Sequence, residues 1–371
     1  MKKIILGALI LSLIAGTALA SDTLSSPDPS SVLGARPLGM GGAFVALADD
    51  ANSIFINPAG LAKIDKWSLT SMATQLMQKV DYKLAAGTYK IGPGTMGIGY
   101  IGTSSTAGYV YSEYGSLESS APIAYTSNLL VLSYGVNMSK VLKNSGKMGE
   151  MALGGSIKMI SKGLTEVDGA QASGVGLDLG ITLTPDSWPI SLGAALSNIG
   201  GGIKWTSGTK ENLEQSLKLG AETTVLGKNG LYKNLPGDLV AGLELEMLAD
   251  KPMVLHFGGE YKPIEYLAVR LGIDQDPFSQ TKTSTCYTAG VGVTFSGFSF
   301  DYAYRMDPES SDLSNHYFSI SYRPQETAKE KEAKVAEKDG TKDTVITGTE
   351  KNKDSSKDIY SLPEEYKNLN L

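Results

Sequence analysis

The sequence predicts an all-β fold: a transmembrane antiparallel β-barrel of about fourteen strands with an N-terminal hatch, or plug, inside the lumen. Three observations favour this fold class. Apolar and polar residues alternate with a period of two from about Trp67 to Arg323, charged residues are confined to one stripe of the later strands, and short turns alternate with longer polar loops.

The alternation fits fourteen segments of about ten residues, the length that a tilted strand needs to cross a bilayer. These segments are 67–76, 82–91, 94–103, 126–137, 148–160, 174–184, 188–198, 216–227, 236–248, 252–262, 265–275, 285–295, 297–305 and 315–323. Their number is even, as bacterial single-chain barrels require. The first three segments follow the pattern least well, because Lys83 and Lys90 interrupt it.

Charge separates a membrane barrel from a soluble β-sandwich. From Met151 onward, the apolar stripe of the predicted strands contains no charged residue apart from Glu265, at the turn end of the segment 265–275. A basic residue on the lipid face costs about 2–4 kcal/mol near the bilayer midplane, so complete sorting is expected there. The predicted lumen-facing charges on the opposite stripe are Lys158, Asp178, Lys218, Glu222, Glu244, Glu246, Glu260, Arg270, Asp274, Asp301 and Arg305.

The connections and the aromatic residues predict the orientation of the barrel. Tight turns such as "IGPGT" (91–95) and "FSGF" (295–298) alternate with longer polar stretches such as 104–125 and 306–314. Short turns are typical of the periplasmic side and long loops of the extracellular side. The aromatic residues at strand ends next to the short turns, which predict an interfacial girdle, are Trp67, Trp188, Tyr261, Tyr266, Phe295, Phe298 and Tyr322.

The two ends of the chain differ from the middle. Residues 1–20 combine Lys2 and Lys3, a short apolar run and the pattern Ala18-Leu19-Ala20, which predicts a signal peptide. Residues 324–371 hold 9 Lys and 11 Asp or Glu in 48 positions, which predicts a disordered, charged periplasmic tail. The expected domains are therefore the signal peptide, a hatch at 21–66, the barrel at 67–323 and the tail at 324–371.

Composition excludes several classes of site. The single cysteine, Cys286, allows no internal disulfide and no cysteine-based metal cage. Two histidines are too few for a histidine-rich metal site. The formal net charge of −6 argues against a nucleic-acid partner. We expect no metal and no cofactor.

The stretch "GMGGAFVALADDANSIFINPAG" (39–60) combines a glycine cluster with paired carboxylates. It lacks the G-x-x-x-x-G-K-[ST] pattern of a phosphate loop and follows no βαβ unit, so a nucleotide site is not expected. A barrel of about fourteen strands leaves a lumen that its own side chains cannot fill, which favours a plug. We expect Arg36 to pair with lumen carboxylates, and Asp49, Asp50 and Asn52 to cap short helical turns or to meet Lys218, Arg270 and Arg305. The hatch motif comprises Arg36, Gly39, Gly41, Gly42, Asp49, Asp50, Asn57, Pro58 and Ala59.

The stretch "ARPLGMGGAFVALADDANSIFINPAGL" (35–61), with its Asn-Pro-Ala triplet, resembles the N-terminal hatch of the FadL-like long-chain fatty acid transporters. It is more similar still to the PorV/PorQ branch of that superfamily, and "VRLGI" (269–273), "AGVGVTFSGFSFDYAY" (289–304) and "NHYFSISYR" (315–323) match as well. The resemblance implies a fourteen-stranded, plugged outer-membrane barrel. It also implies either transport of hydrophobic compounds or a role with secreted proteins in type IX secretion. The chain departs from the family pattern in its charged C-terminal extension.

Three functions follow as expectations. The first is a PorV/FadL-type barrel in the outer membrane of a Gram-negative-type bacterium, in contact with outer-membrane lipid, that handles hydrophobic small molecules or secreted proteins. The second is a structural anchor whose tail tethers a periplasmic partner. The third, a barrel lipase that uses His316 with Ser319, lacks a legible orienting acid or oxyanion hole, so we expect no enzyme.

Overall fold

A computed structural model describes the backbone of residues 25–26 and residues 34–76, 79–111, 117–142, 149–186, 188–228, 230–249, 251–277, 282–309 and 313–324. The predicted signal peptide and the predicted tail from residue 325 onward lie outside the described residues.

Most of the described chain is β-strand. The strands are β1 (Ser25–Ser26), β2 (Trp67–Leu76), β3 (Val80–Ile91), β4 (Gly94–Tyr111), β5 (Leu117–Asn137), β6 (Glu150–Leu164), β7 (Gln171–Thr184), β8 (Ile190–Trp205), β9 (Lys210–Leu213), β10 (Ser216–Leu226), β11 (Asp238–Leu248), β12 (Val254–Ile264), β13 (Leu267–Pro277), β14 (Thr283–Phe295), β15 (Phe298–Met306) and β16 (Asn315–Tyr322). The helices are short: α1 (Ala35–Gly39), α2 (Ser53–Ile56), α3 (Met138–Val141) and a 3-10 helix, Pro58–Lys63.

Fourteen of these strands, β2–β8 and β10–β16, form one closed antiparallel barrel. Each pairs with the next along the chain, β7 pairs with β8, β8 pairs with β10, and β16 closes the ring on β2 with Phe318 opposite Ala73. The remaining two strands lie outside the ring: β9 pairs with β8, and β1 runs parallel to β9. The predicted fold class, an all-β barrel of fourteen strands, is confirmed.

Each of the fourteen predicted strands corresponds to a strand of the barrel, but the predicted connections are partly wrong. The stretch 104–125, expected to be a loop, is mostly strand, because β4 continues to Tyr111 and β5 begins at Leu117. Such long strands extend beyond the bilayer, where an apolar stripe is no longer needed and the sequence pattern fades. The predicted alternation of short turns and long loops also fails at two connections. The connection 77–79 lies on the side of the long loops but is short, and the connection 227–237 lies on the side of the short turns but is long.

The outer surface of the barrel is apolar. On β7, Val175, Leu177 and Leu179 are exposed while the intervening Gly176 and Asp178 are buried. Large exposed apolar side chains continue on the other strands, for example Leu243, Phe257, Leu271 and Phe300. At the short-turn rim, Tyr322 packs between Trp67 and Phe298, with ring centroids 5.0 Å and 4.6 Å away. An apolar belt edged by aromatic rings is the lipid-facing surface of a membrane-spanning barrel.

Residues 34–66, here called the N-terminal segment, precede β2. Their helices are too short to be stable alone, so packing against the barrel must hold them. Nearly all of their side chains are buried, among them Met40, Phe44, Val45, Ile54 and Leu61. None of the helices in the described part of the chain has the length and apolarity needed to cross a bilayer.

Candidate functional site: the barrel lumen

Glycines on the inner wall make room for the N-terminal segment. A Cβ added at any of these positions would lie less than 3.3 Å from an atom of residues 39–61, which is closer than an ordinary contact. These positions, here called the glycine belt, are Gly97, Gly99, Gly135, Gly154, Gly180, Gly193, Gly220, Gly242, Gly258, Gly272 and Gly290. They lie on ten strands from β4 to β14. The segment therefore runs around the inner wall in direct contact with it.

The order of these contacts defines the path of the segment. Gly39 lies against Gly290 on β14, Ala43 against Gly242 on β11, and Val45 against Gly220 on β10. Pro58 then meets Gly154 on β6 and Gly135 on β5, while Ile54 meets Gly97 on β4. Small residues on an inward stripe were visible in the sequence, but their partners follow only from the closed fold.

The inner wall has two unlike sides. We call the inward faces of β10–β15 the charged sector, because Lys218, Glu244, Glu260, Arg270 and Asp301 all lie there. We call the inward faces of β2–β5 the apolar sector. Its buried apolar side chains are Met72, Tyr82, Leu84, Ala86, Ile101, Leu129 and Val131. In the described stretches of these four strands, the one charged residue in the inward register is Lys90, at the short-turn rim.

A network centred on Arg36 ties the N-terminal segment to the charged sector. The Arg36 guanidinium lies 2.6 Å from Asp49, 2.9 Å from Asp50 and 3.0 Å from Glu260 on β12. Glu260 also binds Arg270 at 2.7 Å, and Arg270 binds Asp301 at 2.8 Å. Because these groups are largely buried and most of them take part in more than one ion pair, removing one of them would leave its partner uncompensated.

Arg36 pairs with a lumen carboxylate, as expected, and that carboxylate is Glu260. The expected pairing of Asp49 and Asp50 with Lys218, Arg270 or Arg305 is wrong, because both carboxylates bind Arg36 of their own segment. Asp50 also accepts a bond from the Asn52 amide at 2.9 Å, which is the expected local turn cap. An arginine a short distance away in sequence competes better than one across the lumen.

The Asp49 carboxyl has a shifted pKa. Burial alone would raise it, but the positive charges of Arg36 and Arg323 outweigh burial and lower the pKa to about 2. Arg323, which follows β16, also donates to the Asp49 carbonyl. The end of the barrel and the N-terminal segment are thus joined at this carboxylate.

A second network lies farther from the short-turn rim. Lys218 is 3.4 Å from both Glu244 and Glu246, and His256 bridges Glu246 (3.4 Å) and Asp274 (2.8 Å). Arg305 continues the chain to Asp274 at 2.6 Å and to Asp276. His256 is absent from the sequence-predicted set, although it lies in the inward register of β12 with Gly258 and Glu260, and that register was the signal that could have found it.

Glu244 links this network to the backbone of the N-terminal segment. One of its carboxylate oxygens accepts bonds from the amides of Phe44 at 3.0 Å and Val45 at 2.8 Å. Bonds from amides to a buried carboxylate are stronger than bonds between neutral groups.

A third cluster lies on β6–β8. The fully buried Lys158 ammonium is 3.1 Å from Asp178 and 3.1 Å from the amide oxygen of Asn198. Asn198 has a positive φ of 61° and its backbone amide donates to Asp178 at 2.9 Å. Of the predicted lumen-facing charges, Glu222 has no ion-pair partner within the described ranges.

Asn57 joins the two halves of the N-terminal segment to the wall. Its amide nitrogen donates to the carbonyls of Val45 at 2.8 Å and of Ile181 on β7 at 3.3 Å. Its oxygen accepts the Ala59 amide at 3.1 Å, which starts the 3-10 helix at Pro58. Gly41 and Gly42 have positive φ angles of 62° and 80°, the conformation that the glycine cluster predicts.

The two residues of the lipase alternative lie on opposite faces of β16. His316 is exposed on the outer face, where it bonds the Tyr302 hydroxyl at 2.9 Å, and Ser319 is buried on the inner face. Three residues of separation in a strand always produce this result. Across the described residues, no group of three or more His, Cys, Asp or Glu side chains is arranged to hold a metal ion.

Comparison with solved structures finds β-barrel channels. The P. putida toluene transporter TodX matches with a TM-score of 0.52 and 12% identity over 81% of this chain and 100% of that chain. The Ralstonia pickettii toluene transporter TbuX matches with a TM-score of 0.50 and 13% identity over 79% and 98%. The CymD monoaromatic hydrocarbon channel matches with a TM-score of 0.51 and 12% identity over 82% and 98%.

No protein-family model and no curated protein matches this chain. The structural neighbours are transport channels rather than enzymes. The chain therefore shares the fold of the toluene transporters TodX and TbuX and of the hydrocarbon channel CymD, at sequence identities that establish the fold alone.

Proposed function

We propose that this chain is an outer-membrane channel for small hydrophobic compounds in a Gram-negative-type bacterium. In this proposal residues 21–66 form a hatch that closes the lumen, and residues 67–323 form the barrel. The observation that carries the proposal is the apolar sector: four adjacent strands present buried apolar side chains to the inside of a barrel whose outer surface is also apolar. A barrel that conducts ions or sugars needs a polar inner wall on all sides, whereas a hydrophobic compound needs an apolar path.

The fold supports the same cargo class. Two of the structures that share this fold are toluene transporters and a third is a monoaromatic hydrocarbon channel. The apolar belt with its aromatic rim supports an outer-membrane location, because single-chain barrels of this type occur there.

The proposal is tested by uptake of a labelled hydrocarbon. The full-length chain is expressed in a Gram-negative host without a hydrocarbon channel of its own, and uptake of radiolabelled toluene and of sucrose is measured at equal amounts of heat-modifiable, inserted barrel. We expect toluene uptake to rise above that of the host alone and sucrose uptake to stay at the host's level. Equal stimulation of both solutes, or no stimulation of toluene by inserted barrel, contradicts the proposal.

The motif resemblance to PorV/PorQ favours a second candidate, the handling of secreted proteins. This candidate rests on the stretch 35–61 and the three later matches. It predicts co-purification of the inserted barrel with type IX secretion components and no stimulation of toluene uptake. A third candidate, an anchor for a periplasmic partner, depends on residues 324–371 and predicts that their removal abolishes the partner's membrane association.

A further inference from the structure

The N-terminal segment is held by different forces on its two sides. On the charged sector the contacts are directional and strong: Arg36 with Glu260 at 3.0 Å, and the Phe44 and Val45 amides with Glu244 at 3.0 and 2.8 Å. The Gly39 carbonyl also accepts a bond from Thr288 on β14 at 3.2 Å. These polar groups are buried except for Arg36, which is largely buried, so separating the segment from this side would leave several of them unpaired.

On the apolar sector, the polar contacts of the segment lie near its end, where the Thr95 hydroxyl donates to the Ile64 carbonyl at 2.9 Å and the Lys90 amide to the Lys66 carbonyl at 3.0 Å. Farther from that end, α2 contacts this sector almost entirely by packing. Helix α2 places Ile54 against Gly97 and Phe55 against Gly99, both on β4. Among the described residues, the polar contact of α2 itself to the wall is a long bond of 3.5 Å from the Ser133 hydroxyl to the Ile54 carbonyl. Dispersion contacts are not directional, so an apolar guest can replace them with little loss.

Phe55 faces Gly99, which lies farther along β4 from the short-turn rim than Gly97 does. The tip of its ring lies 2.5 Å from where a Cβ of Gly99 would be, so the ring fills the space that the absent side chain leaves. Ile54 is fully buried, and Phe55 retains 5% exposure. The neighbouring wall residues Ile101 and Leu129 are buried and apolar.

The beginning of α2 carries a further signal. The side-chain oxygens of Asn52 and Ser53 are buried and form no hydrogen bond within the described part of the chain. A buried oxygen without a partner destabilises the arrangement that buries it. The packing of α2 is therefore offset in part by the burial of these two oxygens.

We propose that Phe55 is the specificity-determining residue of the channel: its ring in the Gly99 recess sets the size of the hydrophobic molecule that passes between α2 and the apolar sector, while the segment stays fixed to the charged sector. This inference rests on the proposed function, because it assigns the route and the size limit of the same cargo. It differs from expulsion of the whole segment, which would have to break the Arg36 and Glu244 contacts.

The test compares cargo of two sizes in variants of matched kind. Uptake of radiolabelled toluene and of the larger biphenyl is measured for the parent, Phe55→Ala, Phe55→Leu and Phe55→Trp, at equal amounts of inserted barrel. We expect Phe55→Ala to raise the ratio of biphenyl to toluene uptake about tenfold or more, Phe55→Leu to raise it less, and Phe55→Trp to lower it. Phe55→Leu retains most of the buried volume, so it tests the inference if Phe55→Ala inserts poorly.

The matched control is Val45→Ala, which shortens a fully buried apolar residue that faces Gly220 on the charged sector. It should leave the ratio unchanged. A second control, the oxidised lock, fixes the segment to the charged sector with a disulfide in the double variant Ala43→Cys, Gly242→Cys. The two Cβ positions lie 3.6 Å apart, within the range for a disulfide. Uptake should persist after oxidation.

The outcomes separate the two proposals. If the parent takes up neither compound, the proposed function fails. If the parent takes up both and the ratio is the same in all Phe55 variants, or changes as much in Val45→Ala, the assignment of Phe55 fails while the function stands. If the oxidised lock abolishes uptake, the segment moves as a whole and the route along α2 is wrong.

Discussion

Gly258 and Gly259, adjacent on β12, provide a direct test of the packing between the N-terminal segment and the wall. A Cβ at Gly258 would lie 2.5 Å from the Met40 carbonyl carbon, whereas ordinary contact begins at 3.4 Å. The Met40 carbonyl oxygen lies nearer still, so the backbone of the segment must move by more than the 0.9 Å that separates 2.5 Å from 3.4 Å. A Cβ at Gly259 meets nothing closer than the Val240 carbonyl oxygen at 3.4 Å.

Gly258→Ala should therefore destabilise the protein and Gly259→Ala should not. Overpacking of this kind costs about 1–3 kcal/mol, and both variants gain the same small benefit from replacing glycine in a strand. The assay is reversible urea unfolding of the barrel in phospholipid vesicles, with amide hydrogen exchange of residues 34–64 as a local readout. Gly258→Ala should lower the free energy of unfolding by about 1–3 kcal/mol relative to Gly259→Ala, and should speed exchange in the segment.

The reasoning is refuted if the two variants have the same stability and the same exchange in residues 34–64. A second adjacent pair repeats the comparison on β6. A Cβ at Gly154 would overlap the backbone at Pro58, while one at Gly155 has its nearest neighbours at 3.7 Å. Agreement between the two pairs would show that the whole glycine belt, and not one site, accommodates the segment.

Three further variants test other parts of the structure. Leu179→Arg on the exposed outer face should impair insertion by about 2–4 kcal/mol near the midplane in a folding titration, and Leu179→Ala by less than half as much. Asn57→Ala removes three hydrogen bonds of a fully buried side chain and should cost about 2–4 kcal/mol in urea unfolding, against less than about 1 kcal/mol for the half-exposed Asn128→Ala. The Asp49 pKa is lowered from 3.8 to about 2, so its stabilisation is complete above pH 4 and lost as the pH falls from about 4 to about 2. Hydrogen exchange of residues 34–64 should accelerate over that interval in the parent and not in Asp49→Asn; identical profiles would contradict the assignment.

The strands and their inward and outward faces were predictable from the sequence where charge and period agree. On β7, the position of Asp178 among Val175, Leu177 and Leu179 fixes both faces, and the structure buries the aspartate and exposes the leucines. On β3 the same reasoning fails. Tyr82 and Leu84 point inward and Lys83 points outward, so an apolar inner wall inverts the pattern that a charged inner wall produces. The sorting of charged residues onto one stripe could therefore not predict the apolar sector.

Contacts of the N-terminal segment were predictable only in kind. The glycine cluster indicated close backbone approach and Arg36 indicated a carboxylate partner, and both features are present. Which carboxylate and which wall glycine depend on strand register around the whole barrel, which a single sequence does not determine. The wrong partners predicted for Asp49 and Asp50 have a different cause: Arg36, in the same segment, binds both carboxylates.

Closure of the lumen by the N-terminal segment is the central claim, and conductance in planar bilayers tests it most directly. The parent barrel and a variant lacking residues 33–60 are compared at equal numbers of inserted, heat-modifiable molecules. We predict that the parent remains closed to ions, because the segment covers the glycine belt. The deletion variant should conduct continuously. A deletion variant that inserts normally and stays as closed as the parent would contradict the claim.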